Sequence, residues 1–191
     1  DVKKALRRLS EKKTKLYIAS GNRDFLLGPK FATETGATLL PDYQVIDLNG
    51  ERTLITHGDI LCTRDKSYQR FRRLVRNKAI QKVFLSLPLS VRLIIASNTK
   101  SQTLKSIQKK PMSIMDVDLQ EVSRLMTITE TTLLIHGHTH RPKIHKTTLK
   151  NKRKRRIVLG DWHEENHYIF LSHSDDQQLL RADKYLEYFK P

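Results

Sequence analysis

The chain has little cysteine, few aromatics and no long apolar run, and each shortage closes off a class of protein. One cysteine, Cys62, excludes an internal disulfide framework and is compatible with a reducing cytoplasm. No stretch approaches the roughly 18 consecutive apolar residues of a membrane-crossing helix. The opening Asp1-Val2-Lys3-Lys4 carries no signal-peptide pattern. Aromatic residues make up 7%, without the basic–aromatic interleaving of a base-stacking surface. Acidic residues are scarce too: 20 Asp and Glu face 36 Lys and Arg, for a net charge of +16. Such an excess implies an anionic partner: nucleic acid, a phosphate-bearing substrate or an acidic membrane face. The remainder, 38% hydrophobic over 191 residues, suffices for a single globular domain, 1–191, with a substantial core.

Residues 2–12 have the apolar spacing of an amphipathic helix, and Lys15–Ser20 that of a strand ended by Gly21-Asn22. Pro29–Thr35 suits a helix, with proline in its first turn and Gly36 beyond its end. Residues 43–48 and 52–56 flank Asn49-Gly50, the sharpest hairpin signal in the chain. Glycine is then absent across 66–108, where apolar residues recur among basic ones. That segment predicts two or three helices broken near Pro88, a helical cap inserted between polar turns. Asp116 is placed to cap a helix running to about Met126. A strand is expected at 132–136. A hairpin of 143–149 and 156–159 should follow, with the basic run Lys150–Arg156 as its solvated tip. A last strand is expected at 167–172, then a weakly patterned tail. Trp162 and His163 read as packed loop residues.

Three of these strands end in polar turns: Gly21-Asn22-Arg23-Asp24, His57-Gly58-Asp59 and Gly137-His138-Thr139-His140. Imidazoles and an amide, with no cysteine nearby, suit Mn²⁺, Fe²⁺ or Zn²⁺ in an open catalytic site better than a closed structural zinc. Two ions roughly 3.5–4 Å apart can bind phosphoryl oxygens and hold a hydroxide. The expected chemistry is hydrolysis of a phosphate ester or anhydride. Asp24 and Asp59 read as partners that orient imidazole or backbone.

These three turns resemble motifs of the calcineurin-like metallophosphoesterases. GNRDFLLG at 21–28, LITHGDILCTRD at 54–65, SIMDVD at 113–118 and LIHGHTHRP at 134–142 narrow the resemblance to the UDP-2,3-diacylglucosamine hydrolase family of lipid A biosynthesis, over residues 15 to 173. The wider superfamily usually has His where this chain has Arg23, and an arginine there can clamp phosphate with a permanent charge. The resemblance implies an α/β fold: a β-sandwich flanked by helices, with 66–108 as a helical cap. It implies that Asn22, His57 and His138 hold one Mn²⁺ and that His140 helps to hold a second. It implies substrate contacts from Asn22, Arg23, Asp65, Thr103, Lys110 and His138. Thr103 stands where the family has Ser, and Ile107 where it often has Asn. Water activated by metal would cleave UDP-2,3-diacylglucosamine to UMP and 2,3-diacylglucosamine 1-phosphate (lipid X).

The family's Asp-x-His and Gly-Asp-x-x-x-Glu motifs do not occur before Gly21. The expectation is therefore a fold incomplete at one sheet edge, lacking the carboxylate that bridges two metals, with weak metal binding and low turnover. Apolar 83–91 among basic residues suggests contact with acyl chains and an anionic membrane surface, and a peripheral place on the cytoplasmic face of the inner membrane. No obligate protein partner is expected. Two other readings stay open: a phosphodiesterase of nucleotides or nucleic acid, and a catalytically silent fragment.

Overall fold

The computed structural model describes residues 1–108, 110–149, 152–161, 168–173 and 176–182, and among them the chain forms two compact units. One comprises Asp1–Leu61 and Leu119–Pro191, the other Cys62–Asp118. Trp162, His163 and the tip residues Lys150 and Asn151 fall outside the described residues, as do the side chains of Leu104 and Ile107.

The first unit is α/β. Helices α1 (Val2–Glu11) and α2 (Pro29–Thr35) accompany a parallel pair of short strands, β1 (Tyr17–Ala19) and β2 (Thr38–Leu40). Gly36 ends α2 at φ 72°, the left-handed cap that the sequence forecast. A five-stranded mixed sheet is built from β3 (Tyr43–Leu48), β4 (Glu51–Thr56), β5 (Leu133–His136), β6 (Lys143–Leu149) and β7 (Lys152–Val158), in the order β3-β4-β5-β7-β6. The β3–β4 hairpin turns at Asn49 (φ 54°) and Gly50 (φ 83°), the left-handed pair that an Asn-Gly turn supplies.

Strands β4, β5 and β7 run parallel at the centre. All four residues of β5 are buried, which explains its unbroken Leu-Leu-Ile before His136. On one face, Leu133, Ile135 and Ile157 pack with Leu48, Leu159, Phe170 and Leu179. Phe170 and Leu179 belong to the antiparallel pair β8 (Tyr168–His173) and β9 (Asp176–Arg181), so a second, two-stranded layer covers this face. The expected sandwich is present, with an antiparallel ribbon as its second layer. On the other face lie Leu54, Leu134 and Val158, and helix α7 (Leu119–Ile128) buries Val122, Leu125 and Met126.

Lys150–Arg156 is not simply a solvated tip. Strand β7 begins at Lys152, and the run enters the fold: Lys152 and Arg153 are exposed, whereas Lys154 and Arg156 are buried with Arg155 half-buried between them. Lys154 Nζ donates to the Met126 carbonyl at 2.9 Å, satisfying an acceptor in the last turn of α7. Asp116 does not cap α7, which starts at Leu119. Its carboxylate accepts from the Val117 N–H at 2.8 Å instead.

The second unit is helical: α3 (Lys66–Val75), α4 (Lys78–Ser86), α5 (Leu89–Gln108) and α6 (Met112–Met115). Asp65 caps α3 through the Tyr68 N–H, and Asn77 caps α4 through the N–H groups of Ala79 and Ile80. Leu87, extended before Pro88, separates α4 from α5 as forecast. The unit's two ends are joined by Thr63 to Asp118 at 2.8 Å and by Cys62 Sγ to the Met115 carbonyl at 3.3 Å. Residues 83–91 do not form a core: Val83 is 65% and Leu89 61% exposed.

Candidate metal and phosphate site

The parallel register pairs Thr56 with His136, so β4 and β5 stop side by side and their turns leave the sheet together. The carboxyl ends of parallel strands are where such sheets place ligands. The Gly137 N–H donates to the His57 carbonyl at 3.0 Å, tying the two turns. Gly58 adopts φ 113°, and a Cβ there would stand 2.9 Å from His136 Nδ1 and 3.1 Å from the Gly137 oxygen, so the approach requires glycine. The result is an edge-to-face pair of imidazoles, His57 and His138, with ring centroids 5.1 Å apart and planes at 69°.

The turn after β1 meets His57. A Cβ on Gly21 would lie 2.6 Å from His57 Cε1, so the His57 ring rests directly on the Gly21 backbone. Asn22 and Arg23 follow, both exposed. The Asp24 carboxylate closes the turn by accepting from the Gly21 N–H. Asp24 therefore orients backbone, as its position suggested. Asp59 is buried in a single turn of 3-10 helix, Asp59–Leu61.

His140 Nδ1 pairs with Asp161 Oδ2 at 2.9 Å. A carboxylate on one ring nitrogen leaves the other directed as a ligand, a common support for metal-binding histidines. Asp161 was not singled out from sequence, although it follows the end of β7, the strand beside β5. Among the described residues no group of three or more His, Cys, Asp or Glu is close enough to hold a metal ion. Of the expected donors, His57 and His138 stand ring to ring, Asn22 follows the Gly21 backbone that carries the His57 ring, and His140 is paired with Asp161. Neutral nitrogen and amide donors fit a divalent transition-metal cation.

Beneath the site, His136 is 1% exposed. Its Nε2 lies 3.1 Å from Arg156 NH1, and its Nδ1 lies 2.9 Å from the Gly137 carbonyl. Guanidinium nitrogens only donate, so Nε2 accepts and Nδ1 carries the proton that Gly137 receives. Burial drives the His136 pKa down to about 4; the Gly137 hydrogen bond opposes the shift and the Arg156 charge adds to it.

The helical unit brings together two other expected substrate contacts. Lys110 Nζ reaches both Asp65 oxygens and Ser67 Oγ, each at 2.8 Å. Burial pushes the Asp65 carboxyl up, and hydrogen bonds from Lys110, the Tyr68 N–H and Ser67 more than offset it, so the group sits below its ordinary value. Thr103 is exposed on α5.

Histidine-bearing turns at the ends of adjacent parallel strands, on an α/β fold with a covered sheet, define a protein of the metallophosphoesterase type. No protein-family model matches the chain. Among curated proteins, it is 46% identical over 181 residues to a UDP-2,3-diacylglucosamine hydrolase of Serratia proteamaculans, covering 95% of this chain and 75% of that one. It is 45% identical over 180 residues to the protein of that name from Proteus mirabilis, with 94% and 75% covered. A Neisseria meningitidis protein of the same name is 44% identical over 184 residues, with 96% and 75% covered. The chain belongs to the UDP-2,3-diacylglucosamine hydrolase family.

Proposed function

We propose that this chain hydrolyses the pyrophosphate of UDP-2,3-diacylglucosamine, adding water to give UMP and 2,3-diacylglucosamine 1-phosphate in lipid A biosynthesis. The 46% identity to a hydrolase of that name, over 95% of the chain, carries the reading. The strand-end pair His57 and His138 supplies its chemistry.

In this reading Asn22, His57 and His138 hold a Mn²⁺, and His140, fixed by Asp161, contributes to a second. Mn²⁺ would polarise a phosphoryl oxygen and lower the pKa of a bound water. Arg23, exposed beside Asn22, offers the paired N–H donors of its guanidinium to the pyrophosphate. His138 contacts the substrate as well. Asp65, Lys110 and Thr103 contact the UDP-glucosamine portion, with Lys110 held in place by Asp65 and Ser67. Exposed apolar side chains of α4 and α5, among them Val83, Leu89 and Leu93, take the acyl chains or rest on an anionic bilayer. The excess of basic residues supports the second contact. The protein then works peripherally, on the cytoplasmic face of the inner membrane.

The test pairs two substrates. Mn²⁺-dependent release of UMP from UDP-2,3-diacylglucosamine, with no cleavage of an oligonucleotide, supports the proposal. Oligonucleotide cleavage without UMP release overturns it.

A further inference from the structure

The Gly137-His138-Thr139 turn is unusual. His138 sits at φ 66° and His140 at φ 54°, left-handed conformations that cost a non-glycine residue energy. The Thr139 N–H closes back on the Gly137 carbonyl at 2.8 Å, making a three-residue turn with His138 at its centre. That same carbonyl accepts from His136 Nδ1 at 2.9 Å, and His136 Nε2 accepts from Arg156 at 3.1 Å. His136 and Arg156 are both buried, so neither bond competes freely with water. Arginine cannot accept, so Arg156 also fixes which imidazole nitrogen of His136 faces Gly137.

We propose that Arg156 is a positioning residue: acting through the His136 imidazole, it anchors the Gly137 carbonyl and holds the strained turn that sets His138 against His57. The consequence for binding rests on reading His138 as a metal ligand; the consequence for the turn does not. Lys154 supplies a matched control. It is buried on the same strand and side of the sheet, but its hydrogen bond goes to Met126 at the end of α7.

The experiment uses the full 191-residue chain without metal, and follows the Cε1–H resonances of His57 and His138 by NMR. Arg156→Met moves both resonances and weakens Mn²⁺ binding roughly 10-fold or more, the scale of losing an indirect support to a ligand. Arg156→Lys, which keeps one donor, recovers part of each. Lys154→Met lowers the melting temperature and leaves the resonances and the Mn²⁺ affinity in place. Should Arg156→Met not fold, His136→Phe, which fills the space with neither hydrogen bond, must show the same displacement. Wild-type resonances in the variant that folds, or equal displacement by Lys154→Met, overturn the proposal. If wild type and His138→Ala hold Mn²⁺ equally, His138 is no ligand, and the resonances still decide the role of Arg156.

Discussion

At the scale of single residues, the site depends on how closely two backbones approach two rings. Gly21→Ala puts a methyl about where the His57 ring lies, and the ring must move because backbone is on the other side of the contact. The expected cost is about 1–3 kcal/mol of stability, as for other overpacking changes, together with loss of Mn²⁺ binding. Thermal melts and calorimetric titration read the two effects separately. Asp65 gives a pH prediction. Its folded-state pKa lies below the ordinary value of 3.8, so its stabilising contribution is present above that pH and is lost as pH falls through the folded pKa. Denaturation midpoints at pH 6 and pH 3 should differ less for Asp65→Asn than for wild type. An equal difference would mean that the Lys110 pair contributes nothing.

At the scale of elements, the sequence declared those whose local chemistry and burial agree. The Asn49-Gly50 hairpin, the Pro29–Thr35 helix with its Gly36 cap and the break at Pro88 all carry strong turn or capping residues, and all appear where expected. Gly36→Ala tests one of them: φ 72° and the nearby Ser10 hydroxyl leave no room for a methyl, and a loss of more than about 1 kcal/mol is expected in a chemical melt. Strand β2 and strand β9 were not legible. Thr38-Leu39-Leu40 is too short to alternate, and Asp176-Gln177-Gln178 has the composition of a loop. The basic run was misread for a related reason. Charge suggests exposure, yet Lys154 and Arg156 find an α7 carbonyl and the His136 ring, partners visible only once β7 lies beside β5. In the same way the strand-end placement of His57 and His138 was readable, whereas Asp161, which pairs with His140, required the order of strands.

At the scale of the molecule, the basic excess and the exposed apolar side chains of α4 and α5 both favour the proposed membrane contact. Replacing Val83, Leu89 and Leu93 by Ser should reduce sedimentation with phosphatidylglycerol vesicles and leave the melting temperature within a few degrees, because these side chains are exposed. Unchanged sedimentation would leave the charge alone to account for binding. The central claim is that the strand ends carrying Asn22, His57 and His138 form a metal-dependent site for a UDP-lipid pyrophosphate. Its most direct test is UMP release from UDP-2,3-diacylglucosamine, measured with and without Mn²⁺ in wild type and His138→Ala. Release that rises with Mn²⁺ and falls at least roughly 100-fold in the variant, the upper scale of losing support to a bound metal, is expected. Release that ignores both Mn²⁺ and the substitution would contradict it.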